Sequence, residues 1–337
     1  MKGFSGFNVD GFNYQSPDVV AYFLTHFHAD HTVGLHAGFK GPALIYCSPI
    51  TAALLTSISG LKPALVQGVP IGDSIQIRTS DGSLAEVTFL CANHCPGSAL
   101  LHFRNLRTGV TVLHTGDFRA AACVREDPTL HALIAAHGPI GELLLDTTYC
   151  SPQWKFPDQA EVCDAMGRIV RSELAREPRT LFLVGSYQIG KERAVAAVVR
   201  AAGCRAIVGW HRARTLKLCG WWDGELFVCE DDEEAIAGAG GNLDLDLEFK
   251  SARCCVRVVS MSGALQHEAM AQMLESEVDT SGQRLWGAVV AFRPTGWSYT
   301  RSSRGGKTQG KNSSKGSSSR SLKDVIEIDM GEEKEEE

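Results

Sequence analysis

Four side chains able to hold a metal ion stand within six residues in the segment Thr25-His26-Phe27-His28-Ala29-Asp30-His31. The segment follows an apolar β-like run, Val19–Thr25 (VVAYFLT), so its polar groups lie where a strand gives way to a loop. Burying an imidazole or a carboxylate without a partner is costly. A divalent cation removes that cost, and zinc accepts histidine nitrogen and carboxylate oxygen at about 2 Å. His26 and His28 alternate off an extended backbone and point the same way, while Asp30 and His31 can reach a second ion. Two later segments extend the pattern. Asn93-His94-Cys95-Pro96-Gly97-Ser98 follows the run Glu86–Cys91, and His114-Thr115-Gly116-Asp117-Phe118-Arg119 follows Val110–His114. A histidine in a turn, or an aspartate after a glycine, is commonplace alone. The ordered series of HxHxDH, then His94, then Asp117, each at the C-terminal end of a strand, points to a metal site.

The elements that must position these groups are short. Val19–Thr25, Ala43–Cys47, Glu86–Cys91, Ala99–Phe103, Val110–His114 and Glu142–Asp146 read as strands rich in β-branched and aromatic residues. Pro49–Ser57 and Asp127–His137 read as helices between them, so the first 148 residues predict a layered α/β architecture. From about residue 149 the texture changes. Gln159–Arg176 predicts an amphipathic helix, Thr180–Val184 a buried strand, and Lys191–Ala202 a helix ended by Gly203. Leu285–Phe292 predicts one more strand. After Thr300, Arg301–Lys323 is Ser, Gly, Lys and Arg without apolar periodicity and predicts a disordered tail. Asp324–Met330 is a brief mixed patch before an acidic end.

Composition is that of an ordinary globular chain, with 337 residues, 44% hydrophobic and 21% charged. The net charge of −6 supplies no global attraction to nucleic acid, so any such binding needs a local basic surface. No apolar run approaches the ~20 residues of a membrane span, and no membrane partner is expected. The eleven cysteines are scattered, odd in number and without a Cys-x-x-Cys pair, which suits reduced thiols in cytosol or nucleus.

At the metal-type residues the chain resembles the metallo-β-lactamase superfamily. The resemblance implies an αββα sandwich, one zinc on His26, His28 and His94, and a second on Asp30 and His31 with Asp117 bridging. It also implies that Asp10 supports the metal loop from behind the ligands. That ligand set does not choose a substrate. Leu143–Cys150 (LLLDTTYC) with Phe156-Pro157, Ile45–Thr51 (IYCSPIT), Gly185–Glu192 (GSYQIGKE) and Phe292–Trp297 (FRPTGW) are similar to the β-CASP nucleases. More narrowly they resemble the DNA cross-link repair exonucleases related to Artemis and Apollo, over roughly residues 7 to 299. The resemblance implies an inserted β-CASP α/β cap domain at 149–285, with the metallo-β-lactamase domain at 1–148 and a return strand to it at 286–299. Residues 300–337 would be the low-complexity tail. It further implies Asp146 as an acidic residue near the metals, catalytic roles for Asp30, Asp117 and Asp146, DNA (single-stranded or with 5′ ends) as partner, nuclear residence, and 5′-to-3′ exonuclease action in cross-link and double-strand break repair. Two ions about 3.5–4 Å apart would activate water and clamp phosphate oxygens, with Asp30 orienting the water and accepting a proton.

Gly185–Glu192 also reads G-x-x-x-x-G-K after a strand, close to a nucleotide-binding loop, but Glu192 replaces the Ser or Thr that would hold magnesium. Glycines, a helix start and Lys191 can still bind an anion, so Ser186, Tyr187 and Lys191 are expected at DNA phosphates. A helix-capping loop with a solvated lysine is the plainer alternative. The family carries a further histidine after the Pro-Thr-Gly-Trp segment, whereas residues 301–337 contain none. The expectation is therefore either a fragment or mis-predicted gene product, or a protein with one well-formed zinc site and an incomplete second one, with turnover weak or absent. The basic stretch 301–323 could instead hold DNA or direct nuclear import. Competing readings are a catalytically dead DNA-end binding or scaffold protein, a β-CASP RNA endonuclease, and a small-molecule hydrolase such as a thioesterase. The last should lack the long insertion after Asp146.

Overall fold

The computed structural model describes residues 1–152, 154–232, 254–261, 263–279 and 281–296, together with the backbone of 325–329. The chain divides into two compact units. The first is Met1–Cys150 with Gln188–Gly190 and Thr215–Trp221; the second is Ser151–Tyr187, Lys191–Arg214 and the chain from Trp222 onward.

Two sheets build the first unit. One is parallel, in the order β1 (Phe7–Val9), β2 (Ala21–Phe23), β3 (Ile45–Cys47) and β4 (Val66–Gly68). The other runs β5 (Ser74–Arg78), β6 (Leu84–Cys91), β7 (Ala99–Asn105), β8 (Thr111–His114) and β9 (Glu142–Leu144), antiparallel except for the last pair. Period-two alternation sorts their side chains into layers. Ala21 and Phe23 of β2 meet Val87, Phe89, Leu101, Phe103 and Val112 of the second sheet in one core between the sheets. Tyr22 and Leu24 face the other way, into a cluster with Leu54 and Leu55 of helix α1 (Pro49–Ser57). On the far side, Leu90, Leu100 and Leu113 pack with Val124 of α2 (Ala122–Arg125) and Leu130 and Leu133 of α3 (Pro128–His137). The layers are therefore helix, sheet, sheet, helix, the expected α/β sandwich.

The second unit holds a six-stranded parallel sheet in the order β12-β11-β13-β10-β14-β15. Its strands are β10 (Thr180–Ser186), β11 (Ala206–Val208), β12 (Phe227–Cys229), β13 (Val256–Ser260), β14 (Ala288–Arg293) and β15 (Val325–Asp329). Helix α4 (Gln159–Arg176) packs on α5 (Glu192–Ala202). The α4 start is set by Glu161, whose carboxylate accepts from the Asp158 amide at 3.2 Å.

Residues 286–299 were expected to return to the first domain, but Ala288–Arg293 pairs with β10 and β15 inside the second unit's sheet. Its buried run Ala288–Phe292 suits a parallel strand covered on both faces. Within 300–337, Val325–Asp329 runs alongside β14 as β15, in a short segment where Ile326 and Ile328 alternate with acidic residues. The remaining expectations for 300–337, and the one for Trp297, lie outside the described residues. All eleven cysteines are free thiols, and no helix among the described residues is long and apolar enough to cross a membrane.

Candidate metal centre

Asp10, at the end of β1, organises the site. Its backbone is left-handed (φ 53°), a conformation that costs a non-glycine residue energy and is held by its contacts. Its carboxylate accepts from the Thr25 amide at 2.9 Å, the Thr25 hydroxyl at 2.7 Å and His31 Nδ1 at 2.8 Å. The Thr25 hydroxyl has one proton, given to Asp10, so at 3.0 Å it accepts from His26 Nδ1. This fixes the His26 tautomer and leaves Nε2 as the ligating atom, as outer-shell partners do for metal-bound histidines. On its other side His28 faces the Ile189 backbone, which favours a protonated ring nitrogen there.

The loop after β2 thus presents His26 and His28, and the β6–β7 turn presents His94. His28 Nδ1 lies 3.0 Å from both His26 Nε2 and His94 Nε2, and the three rings stand nearly perpendicular to one another, at 84–85°. Three nitrogen lone pairs aimed at one point repel unless something cationic sits there. A second trio is His26, His31 and Asp117; in each group the ligand atoms lie within 4.8 Å of one another. Asp117 links the two. Its Oδ1 is 3.2 Å from His31 Nε2, and its Oδ2 is 3.7 Å from His94 Nε2 and 3.9 Å from His26 Nε2. Gly116 makes this approach possible, because at φ +52° an added Cβ would stand 2.7 Å from Thr25 Cβ.

The electrostatics agree with this donor set. Burial, reinforced by the neighbouring imidazoles, pushes His26 down to about 2, and burial lowers His28, so both rings are neutral at pH 7. Burial also works against a charged His31, but its hydrogen bonds to Asp10 and Asp117 outweigh that and push it up to about 10. The His31 hydrogen bond in turn holds Asp117 down at about 2. Neutral His26 and His28 beside a carboxylate–imidazolium pair fit a divalent cation, which would displace the His31 proton.

The other expected residues are placed as follows. Asp30 is 78% exposed, with Oδ2 at 3.7 Å from His31 Nε2, and it falls in neither trio. Asp146 also falls in neither; its Oδ1 accepts from the amide and hydroxyl of Thr148, while its own amide donates to Thr115 Oγ1. Ser186 ends β10 and is buried, Tyr187 is exposed, and Lys191 is left-handed (φ 70°) just before α5. Glu192 is buried and pairs with Arg212 at 3.0 Å. Sequence reasoning did not find Thr25 or Ile189. A hydroxyl beside HxHxDH offered a signal for the first; a backbone carbonyl offers none.

The metallo-β-lactamase superfamily model matches residues 12–148, the stretch that carries both trios. The chain is 36% identical over 296 residues to DNA cross-link repair protein SNM1 of Arabidopsis thaliana, covering 87% of this chain and 53% of that one. It is 30% identical over 297 residues to human DNA cross-link repair 1A protein, covering 88% and 25%. Against the 5′ exonuclease Apollo of Gallus gallus it is 32% identical over 197 residues, covering 58% and 39%. The chain therefore spans about half, or less, of the length of these relatives. It belongs to the metallo-β-lactamase superfamily and, within it, to the β-CASP family of the DNA cross-link repair proteins.

Proposed function

We propose that the chain is a zinc-dependent DNA phosphodiester hydrolase, working as a 5′-to-3′ exonuclease in the repair of cross-links and double-strand breaks in the nucleus. The observation that carries this reading is the convergence of His26, His28, His31, His94 and Asp117 into two trios sharing His26. Zinc held there supplies Lewis acidity toward water and toward a phosphate oxygen.

The chain's own residues do the rest. His26, His28 and His94 would hold one ion. His31 and Asp117 would hold the second, with Asp117 shared between them. Asp30, exposed with Oδ2 3.7 Å from His31 Nε2, would orient water and take its proton. Asp10 keeps the His31 ring turned so that Nε2 faces Asp117 and would be open to an ion. Ser186, Tyr187 and Lys191 are proposed to contact DNA phosphates, with the left-handed Lys191 opening α5. The names of the relatives, among them a 5′ exonuclease, support DNA as the substrate.

The test is zinc analysis of the purified chain together with degradation of 5′-phosphorylated single-stranded DNA, beside an Asp30→Ala variant. The expected result is bound zinc, EDTA-sensitive shortening from the 5′ end, and loss of turnover without loss of zinc in the variant. A chain that binds zinc and DNA yet releases no nucleotides would be an end-binding protein instead. A chain that binds no zinc would end the reading altogether.

A further inference from the structure

The segment Ile45–Thr51 stands out in sequence, yet none of its residues belongs to either metal trio. Its geometry gives it a task. Ser48 caps α1, and its hydroxyl oxygen accepts from the Thr51 amide at 3.3 Å. The hydroxyl proton goes elsewhere, to the carbonyl of Gly97 at 2.6 Å, across 49 residues of chain. Thr51 Oγ1 lies 3.1 Å from Ser48 Oγ and 3.3 Å from the same carbonyl. Both hydroxyl residues are buried, at 1% and 0% exposure, so neither bond competes with water. Gly97 (φ +79°) is tailored to this contact, since a Cβ would stand 2.8 Å from Ser48 Oγ and 2.9 Å from Ile50 Cβ.

Gly97 belongs to the turn that carries His94. On the inner side of that turn, Ser98 Oγ accepts from the amides of His94 and Cys95, and Asn93 is held left-handed at φ 52°. The turn is thus clamped at both ends. Ser98 draws in the His94 backbone, and the α1 cap grips the Gly97 carbonyl three residues on. A ligand on a loop is less well placed than one on a strand unless its support is locked, and a displacement of about 0.5 Å is enough to spoil a site.

We infer that Ser48 and Thr51 are positioning residues for His94: the N-cap of α1 latches the Gly97 carbonyl and sets where the imidazole meets His26 and His28. The inference rests on the reading that this trio holds zinc. It assigns the Ile45–Thr51 segment to the metal centre, through a turn rather than through a ligand.

The experiment measures zinc affinity of the purified full chain against a competing chelator, and records the visible spectrum of its cobalt-loaded form. Ser48→Ala is expected to weaken the tighter zinc by about 10–100-fold, as removal of outer-shell support does, and to shift the cobalt bands. Thr51→Val keeps the cap oxygen and should move both readouts the same way by less. Ala53→Gly, in the interior of α1, weakens the helix without touching the latch; it should lower the melting temperature and leave zinc and cobalt unchanged. Wild-type affinity and spectrum in both Ser48→Ala and Thr51→Val would overturn the inference. So would an equal loss of zinc in Ala53→Gly. If Ser48→Ala does not fold, Thr51→Val decides. If the wild-type chain binds no zinc, the metal reading itself fails, and the latch with it.

Discussion

Asp10→Asn isolates one atom of the centre. In the wild type, Oδ1 accepts from the Thr25 amide at 2.9 Å, while Oδ2 accepts from the Thr25 hydroxyl at 2.7 Å and His31 Nδ1 at 2.8 Å. The asparagine keeps Oδ1 and turns Oδ2 into an amide nitrogen that can only donate. The Thr25 hydroxyl can rotate and accept from it. The His31 ring cannot keep a proton on Nδ1 facing a donor, so the neutral ring carries it on Nε2, the atom 3.2 Å from Asp117. The lone pair required by the second ion is then occupied. A hydrogen bond to a charged group contributes about 1.5–3 kcal/mol net. Loss of an outer-shell partner costs about 10–100-fold in metal affinity, or roughly 1.4–2.7 kcal/mol. The two routes agree. Titration of the metal-free chain with zinc, followed calorimetrically, should show the weaker class of sites losing that affinity, while the class formed by His26, His28 and His94 is largely kept. If both classes fall equally, or neither moves, the tautomer argument is wrong.

Other consequences can be measured separately. Zinc at a hundredfold excess over its dissociation constant should stabilise the chain by about 2.7 kcal/mol; EDTA should remove the increment in thermal melts, and His94→Ala should lose most of it. Gly116→Ala puts a Cβ 2.7 Å from Thr25 Cβ at φ +52°, and should cost at least about 1–2 kcal/mol as well as zinc affinity. Wild-type melting and zinc binding in that variant would contradict the close approach. His102, 2% exposed in β7, is pushed down to about 4 by burial. Its folded value lies below the unfolded one of about 6.5, so its contribution is complete above that pH, declines as pH falls toward about 4, and then levels, a change of roughly 3 kcal/mol. Denaturant unfolding of His102→Gln should show a flatter profile across that window; identical slopes in the two proteins would refute the assignment.

The residues that converge in the two trios were legible in the sequence because metal-binding residue types are dense in HxHxDH and recur at strand ends in order. Helices were legible where local chemistry sets their ends. Pro49–Ser57 and Gln159–Arg176 have the expected bounds, the first capped by Ser48 and the second by the Asp158–Glu161 pair. Strands of three residues, such as Phe7–Val9 and Val66–Gly68, are too short to show a period. The partner of β14 was not legible either. An apolar run such as Ala288–Phe292 suits any buried parallel strand, and only long-range pairing selects its sheet. The same limit hid the support of the site. Thr25, Ile189 and Gly97 act through a hydroxyl and backbone carbonyls, groups whose roles depend on what folds against them.

The parts of the metal centre come from two different sheets. Asp10, His26, His28 and His31 follow strands of the parallel sheet, whereas His94 and Asp117 leave the antiparallel one. An ion coordinated by both sets is a rivet through the seam between them, set at the rim. Such a rivet can form only after the seam has closed, so zinc uptake during refolding should lag behind burial of Phe23 against Phe103. Its extraction should loosen amides along the edge strand β1 before any reach β7, which lies between β6 and β8.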